Sequence, residues 1–147
     1  MGLDMYLTAK RYLSDYDEEE KAIKKRLSSM AQFKGLNVRD VVAEVGYWRK
    51  ANHIHKWFVD NVQSGKDDCG DYYVSTEKLA ALKDLCESVL KDHKLGKAAL
   101  PTESGFFFGS TDYDAPYFDD VEETAKIIEK ALALDHSKWE VYYHSSW

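Results

Sequence analysis

Leu3, Met5 and Leu7 alternate with Asp4, Tyr6 and Thr8, the period of a half-buried strand, so the chain is expected to enter a sheet within its first residues. Asp17 followed by Glu20 is a capping pair. Beyond it Ile23, Leu27 and Met30 recur among Lys and Glu, which predicts a charged surface helix broken near Gly35. Val38 to Gly46 is valine-rich and predicts a second strand. From Tyr47 to Val62 the positions Tyr47, Ala51, Ile54, Phe58 and Val62 follow helical spacing, with Trp48, Asn52 and His55 expected on a neighbouring face of the same helix. After a polar loop at residues 64–71, Tyr72 to Val74 reads as a short extended piece. Ser75 or Thr76 then starts a helix with Leu79, Leu82, Cys86, Val89 and Leu90 inward, and Gly96 is expected to end it.

Phe106, Phe107 and Phe108 form an apolar run short enough for an interior strand. Asp114, Pro116 and the acids that follow open a last helix whose inward stripe is Phe118, Val121, Ala125, Ile128 and Leu132. Trp139, Val141 and Tyr143 alternate with polar neighbours in a final strand. About four helices and four strands without parallel crossovers predict an α+β fold, a small mostly antiparallel sheet covered by helices, in one domain over residues 1–147.

Composition narrows the function. With 26 acidic against 20 basic residues, a net charge of −6 disfavours duplex nucleic acid, whose affinity rests on neutralising phosphates. The apolar runs fall far short of the roughly 20 residues that cross a bilayer, and Tyr6 stands where an N-myristoylation pattern wants Ser or Thr. Cys69 and Cys86 have no CxxC spacing and no secretory leader precedes them, which suggests a reducing cytoplasm. Aromatic residues make up 14% of the chain, with ten Tyr, six Phe and four Trp. So many rings either build the core or line a binding surface.

Catalytic and metal motifs are weak. His53 and His55 point roughly 200° apart on a helix and do not form a ligand pair. Asp67, Asp68 and Asp71 lack the EF-hand spacing, and their charge makes a poor setting for a nucleophilic Cys69. Ser104-Gly105 and Gly109-Ser110 match neither a nucleophile elbow nor a phosphate loop and read as turns. No catalytic residue, metal or cofactor is expected.

The segment Tyr47 to Trp57 is different, because it gathers Arg49, Lys50 and Lys56 with two tryptophans and two histidines in an acidic chain. Its ordinary reading is an amphipathic helix with a basic face. Its functional reading is a helix start that receives an anionic ligand, with Trp48 to stack on, Arg49 and Lys50 as cationic donors, Asn52 and His55 along the same face, and Ser104 and Ser110 as a second wall.

The pieces Met1 to Leu7, Glu44-Val45-Gly46-Tyr47-Trp48-Arg49-Lys50-Ala51-Asn52, Asp68-Cys69-Gly70 and Ser104-Gly105-Phe106-Phe107-Phe108-Gly109-Ser110 resemble a family of small uncharacterised proteins carried by bacteriophages and bacteria. The resemblance implies a host or phage cytoplasm and transfers no functional residue.

Three functions are therefore in competition. One is a non-enzymatic phage accessory protein sequestering a small anionic or nucleotide-like ligand. Another is an inhibitor that engages a host protein through exposed aromatic residues and an acidic surface. The last is a hydrolase using His53 or His55 as a base. Homo-oligomerisation is left open. Because no cluster has ligand spacing, chelation is expected to leave the melting temperature unchanged, whereas loss of a structural zinc would cost on the order of 10 kcal/mol and show plainly in a thermal scan.

Overall fold

Alternation carries directly into β1 (Asp4–Tyr12), where Met5, Leu7 and Ala9 are buried and Tyr6, Thr8 and Lys10 face the other way. In the computed structural model, which describes residues 2–147, β1 is one of two inner strands of a four-stranded antiparallel sheet in the order β2-β1-β4-β3. The fold is α+β, as the patterning predicts. Helix α1 (Glu18–Ser28) is capped by the Asp17 carboxylate, which accepts from the Glu20 amide, and it buries no residue. It is tied down by charge instead: Arg11, itself buried, meets Glu19 at 2.9 Å and Glu20 at 3.5 Å.

Strand β2 (Asp40–Arg49) departs from expectation at its far end. The predicted helix start at Tyr47 is still strand, because Tyr47 and Trp48 pair with Tyr6 and Met5 of β1. The register slips between Leu7 and Thr8, so Leu7 faces Gly46 and Thr8 faces Glu44, with Val45 as the extra, bulged residue. Helix α2 (Asn52–Asn61) begins only after this strand is spent. Tyr47 and Trp48 thus never share a helix with Asn52 and His55.

Strand β3 (Tyr72–Tyr73) pairs with β4 (Glu140–Ser146), which lies against β1 on its other side. Helix α3 (Thr76–Lys91) is capped by Ser75 and ends at Asp92, earlier than Gly96. Gly96 opens a short helix α4 (Gly96–Ala99), where a Cβ would crowd the Tyr117 hydroxyl that donates to the Leu100 carbonyl at 2.8 Å. Helix α5 (Ala115–Leu132) starts at its Asp114 cap and buries Tyr117, Val121, Thr124, Ile127, Ile128 and Ala131. Of the expected stripe Val121 and Ile128 are central, while Phe118, Ala125 and Leu132 flank it half-buried.

Phe106 to Phe108 is a turn, not an interior strand: the Phe108 amide donates to the Gly105 carbonyl at 3.1 Å, and Phe106 is 94% exposed. The segment is tied to the start of the chain by a bond from the Leu3 amide to the Phe107 carbonyl at 3.1 Å. Among the described residues no helix is long and apolar enough to cross a membrane.

The core lies between the Met5, Leu7, Ala9, Trp48, Val141 and Tyr143 face of the sheet and helices α2, α3 and α5. Side chains on the opposite face are half-buried or exposed. Helix α5 approaches β2 so closely that a Cβ at Gly46 would overlap Cγ2 and Cδ1 of the buried Ile127. Gly46→Ala is therefore expected to destabilise the fold by about 1–3 kcal/mol, the usual cost of overpacking, read as a lower denaturation midpoint with an unchanged m-value.

Candidate functional site

Where β2 ends the backbone turns sharply. Lys50 is held at φ 60, a left-handed conformation that costs a non-glycine residue about 1–2 kcal/mol. Its amide donates to the Leu3 carbonyl at 2.8 Å and its carbonyl accepts from the Asn52 amide at 2.9 Å, closing a tight turn over Ala51. The turn places Arg49, Lys50 and His53 beside the loop at Gly109 to Asp112 and the first turns of α5. Together these segments enclose a cleft of about 220 Å³.

Asn52 builds this cleft from behind. Its Nδ2 donates to the carbonyls of Phe108 at 2.9 Å and Ser110 at 2.8 Å, and its Oδ1 accepts from the Glu103 amide at 2.9 Å. Every polar atom of this buried side chain is spent on the backbone of the 103–110 loop, so Asn52 staples the loop and has little left for a ligand.

Of the expected site residues, Arg49, Lys50 and Ser110 line the cleft, and the Ser110 hydroxyl accepts from the Asp112 amide at 3.1 Å. No ion pair among the described residues uses Arg49 or Lys50. Trp48 does not reach it. The ring is buried in the core, and its Nε1 donates to Thr124 Oγ1 at 2.9 Å, so it anchors α5 rather than offering a stacking face. Ser104 lies in a separate cavity of about 440 Å³ with Phe106, Phe107, Phe108, Asp67 and Trp147, so Ser104 and Ser110 do not form one wall.

His55 is also elsewhere, fully buried, with Nδ1 2.7 Å from the Tyr143 hydroxyl and Nε2 3.0 Å from Asp67. An acid, a histidine and a hydroxyl are thus in line, which is what the hydrolase reading requires. The hydroxyl is nevertheless out of reach of any substrate: Tyr143 is 0% exposed, stacked on Phe58 at 3.9 Å, and burial raises its hydroxyl well above the usual phenol range. The relay fastens α2 and the 64–71 loop to β4.

The cleft is also lined by Asp112, Asp114, Tyr117 and Asp120, which sequence reasoning missed, and by His53, which it weighed only as a catalytic base or metal ligand. Asp114 and Asp120 read along the chain as a helix start, and Asp114 does accept from the Tyr117 amide at 3.3 Å. Asp120 is different: burial, then the charges of Asp119 and Asp114, push its carboxyl up to about 6. His53 is 3% exposed, its ring lies on Tyr117 at 4.2 Å, and its Nε2 is buried with no hydrogen-bond partner among the described residues. Such an orphan costs about 1–3 kcal/mol and calls for an explanation. Burial pushes the imidazole down to about 4, so at neutral pH it is uncharged, able to donate or accept a single bond at Nε2.

Comparison of the chain with family models, with curated proteins and with solved structures finds no match. The cleft must therefore be interpreted from its own chemistry.

His53 also makes stability depend on pH. Its folded value of about 4 lies below the ordinary 6.5, so within that window the unfolded chain holds a proton that the folded chain does not. The His53 contribution to stability should then fall by about 3 kcal/mol as pH drops through the window, while the raised carboxyl of Asp120 contributes in the opposite sense. His53→Gln, which cannot titrate, is expected to remove that fall, as read from urea midpoints at pH 7 and at mildly acid pH.

Proposed function

We propose that the protein is a non-enzymatic binding module whose cleft takes a small ligand carrying one anionic group and, at its other end, a cationic or hydrogen-bond-donating group. The observation that carries this reading is that the Nε2 of His53 has no partner among the described residues, in a cleft also lined by Arg49 and Lys50, which form no ion pair with any described residue. A ligand carboxylate or phosphate would complete Arg49 through a charge-assisted, bidentate pair, and a ligand polar atom would satisfy His53. The carboxylates Asp112, Asp114 and Asp120 argue against a polyanion such as a triphosphate, which they would repel, and favour a ligand of mixed charge.

Size points the same way. About 220 Å³ is below the range of roughly 300–1,000 Å³ typical of drug-sized ligand sites, which suits a small metabolite better than a whole nucleotide. The burial of Trp48 removes the ring on which a base would have stacked. Strain supports the assignment too, since a left-handed lysine at a cleft rim is an outlier of the kind that gathers at binding sites. Sequestration within a cytoplasm fits the two free cysteines, Cys69 and Cys86.

Arg49 is exposed and enters no ion pair among the described residues, so its role in binding is separable from stability. Calorimetric titration with a panel of amino acids, aminoalkyl phosphates and mononucleotides is expected to find binding among the mixed-charge members. Arg49→Ala should weaken it by about 1.5–3 kcal/mol with the melting temperature nearly unchanged. Binding confined to mononucleotides, or unaltered by Arg49→Ala, would overturn the reading.

A further inference from the structure

The face of the sheet turned away from the helices carries a second set of side chains, independent of the cleft. Tyr6 and Thr8 of β1, Val42 and Tyr47 of β2, Tyr73 of β3, and Tyr142 and His144 of β4 fall on it by strand register. Tyr47, Val42 and Tyr73 are 41%, 60% and 58% exposed. The rings form two groups across the strands, with Tyr6 5.3 Å from Tyr47 and 6.1 Å from His144, and Tyr73 6.0 Å from Tyr142. A shallow hollow of about 260 Å³ opens among Thr8, Lys10, Val42, Asp71 and Tyr142.

Carboxylates accompany the rings. The Tyr47 hydroxyl donates to Asp4, and the Tyr142 hydroxyl donates to Glu140 at 2.7 Å. These bonds raise both phenols, Tyr142 to about 12, and hold each ring in one orientation. Asp71 lies 3.4 Å from His144, Asp40 lies 4.0 Å from Lys10, and exposed Glu44 enters no ion pair among the described residues. Against five carboxylates the face sets Lys10 and, at its margin next to Asp4, Arg49. Rings pre-oriented by carboxylates lose little freedom on binding, the property that makes tyrosine an efficient interface anchor.

We infer that this tyrosine face docks an arginine-rich segment of a partner protein. Guanidinium is the cation that fits, because it stacks flat on a ring while forking to a carboxylate beside it, which a lysine ammonium does not do. A single-stranded nucleic acid would find rings to stack on but five carboxylates facing its phosphates. A second copy of the chain would bring the same carboxylates against themselves.

The test uses the full chain and an alternating Arg–Gly peptide at physiological ionic strength, followed by amide chemical shifts and fluorescence anisotropy. Expected are shifts concentrated on β1, β2 and β4, several-fold weaker binding of the matching Lys–Gly peptide, and a loss of about ten-fold in affinity for Tyr47→Ser/Tyr142→Ser. Glu44→Lys, at an exposed unpaired position, should weaken binding without disturbing the fold, while Glu122→Gln/Glu123→Gln on α5 should leave it unchanged. Shifts spread over the acids of α1 and α5, undiminished binding by the tyrosine and Glu44 variants, self-association through these residues, or preferential binding of oligothymidylate there would each overturn the inference.

Discussion

The pairing of Tyr47 and Trp48 with β1 decides how the remaining functional surface is arranged. Because β2 runs on to Arg49, period-two alternation sends Trp48 into the core and Tyr47 to the opposite face. Arg49 is then the last strand residue, at the rim of the cleft, and the chain must turn within Lys50 and Ala51 to enter α2. The Trp48 indole bonds Thr124 in α5, whose hydroxyl in turn donates to the Asp120 carbonyl at 2.6 Å. A side chain that never meets the cleft thus sets the position of its acidic side.

Asn52 extends the same logic to the loop. Buried backbone groups in an irregular segment need partners. For the 103–110 loop one amide side chain supplies three of them, which lets a stretch without regular structure hold Ser110 at the cleft. By contrast His53, the next residue, has a buried Nε2 with no hydrogen-bond partner among the described residues. A fully satisfied Asn52 and a His53 with a free Nε2 thus stand on the same helical turn.

The two faces of the sheet divide the protein's aromatic content by role. Tyr143, Phe58, Trp48 and Trp57 build the core, where their rings stack and their polar atoms are bonded or screened. Tyr6, Tyr47, Tyr73 and Tyr142 stay on the open side with their neighbouring carboxylates. The acidic side chains are likewise divided, with Asp112, Asp114 and Asp120 at the cleft and Asp4, Asp40, Glu44, Asp71 and Glu140 along the open face.

Local signals determined much of this protein. Alternation in β1 and β4, and the caps Asp17, Ser75 and Asp114, are interactions within a few residues of each other, and the chain folds as they say. Arg49, Lys50 and Ser110 were also legible as cleft residues, from charge and hydroxyl chemistry beside turn glycines. What the chain could not announce was the length of β2, since Tyr47, Ala51, Ile54 and Phe58 satisfy a helical period whether or not the helix has begun. Only hydrogen bonds from β1 choose the strand, and with that choice Trp48 leaves the site and His55 turns to Asp67 and Tyr143. Likewise Asp114 and Asp120 are ordinary helix-start acids until α5 packs across β2 and partly buries one of them beside His53. A cleft shared by segments far apart in sequence has no local signal, because the burial that gives its groups their chemistry exists only once the helices lie on the sheet.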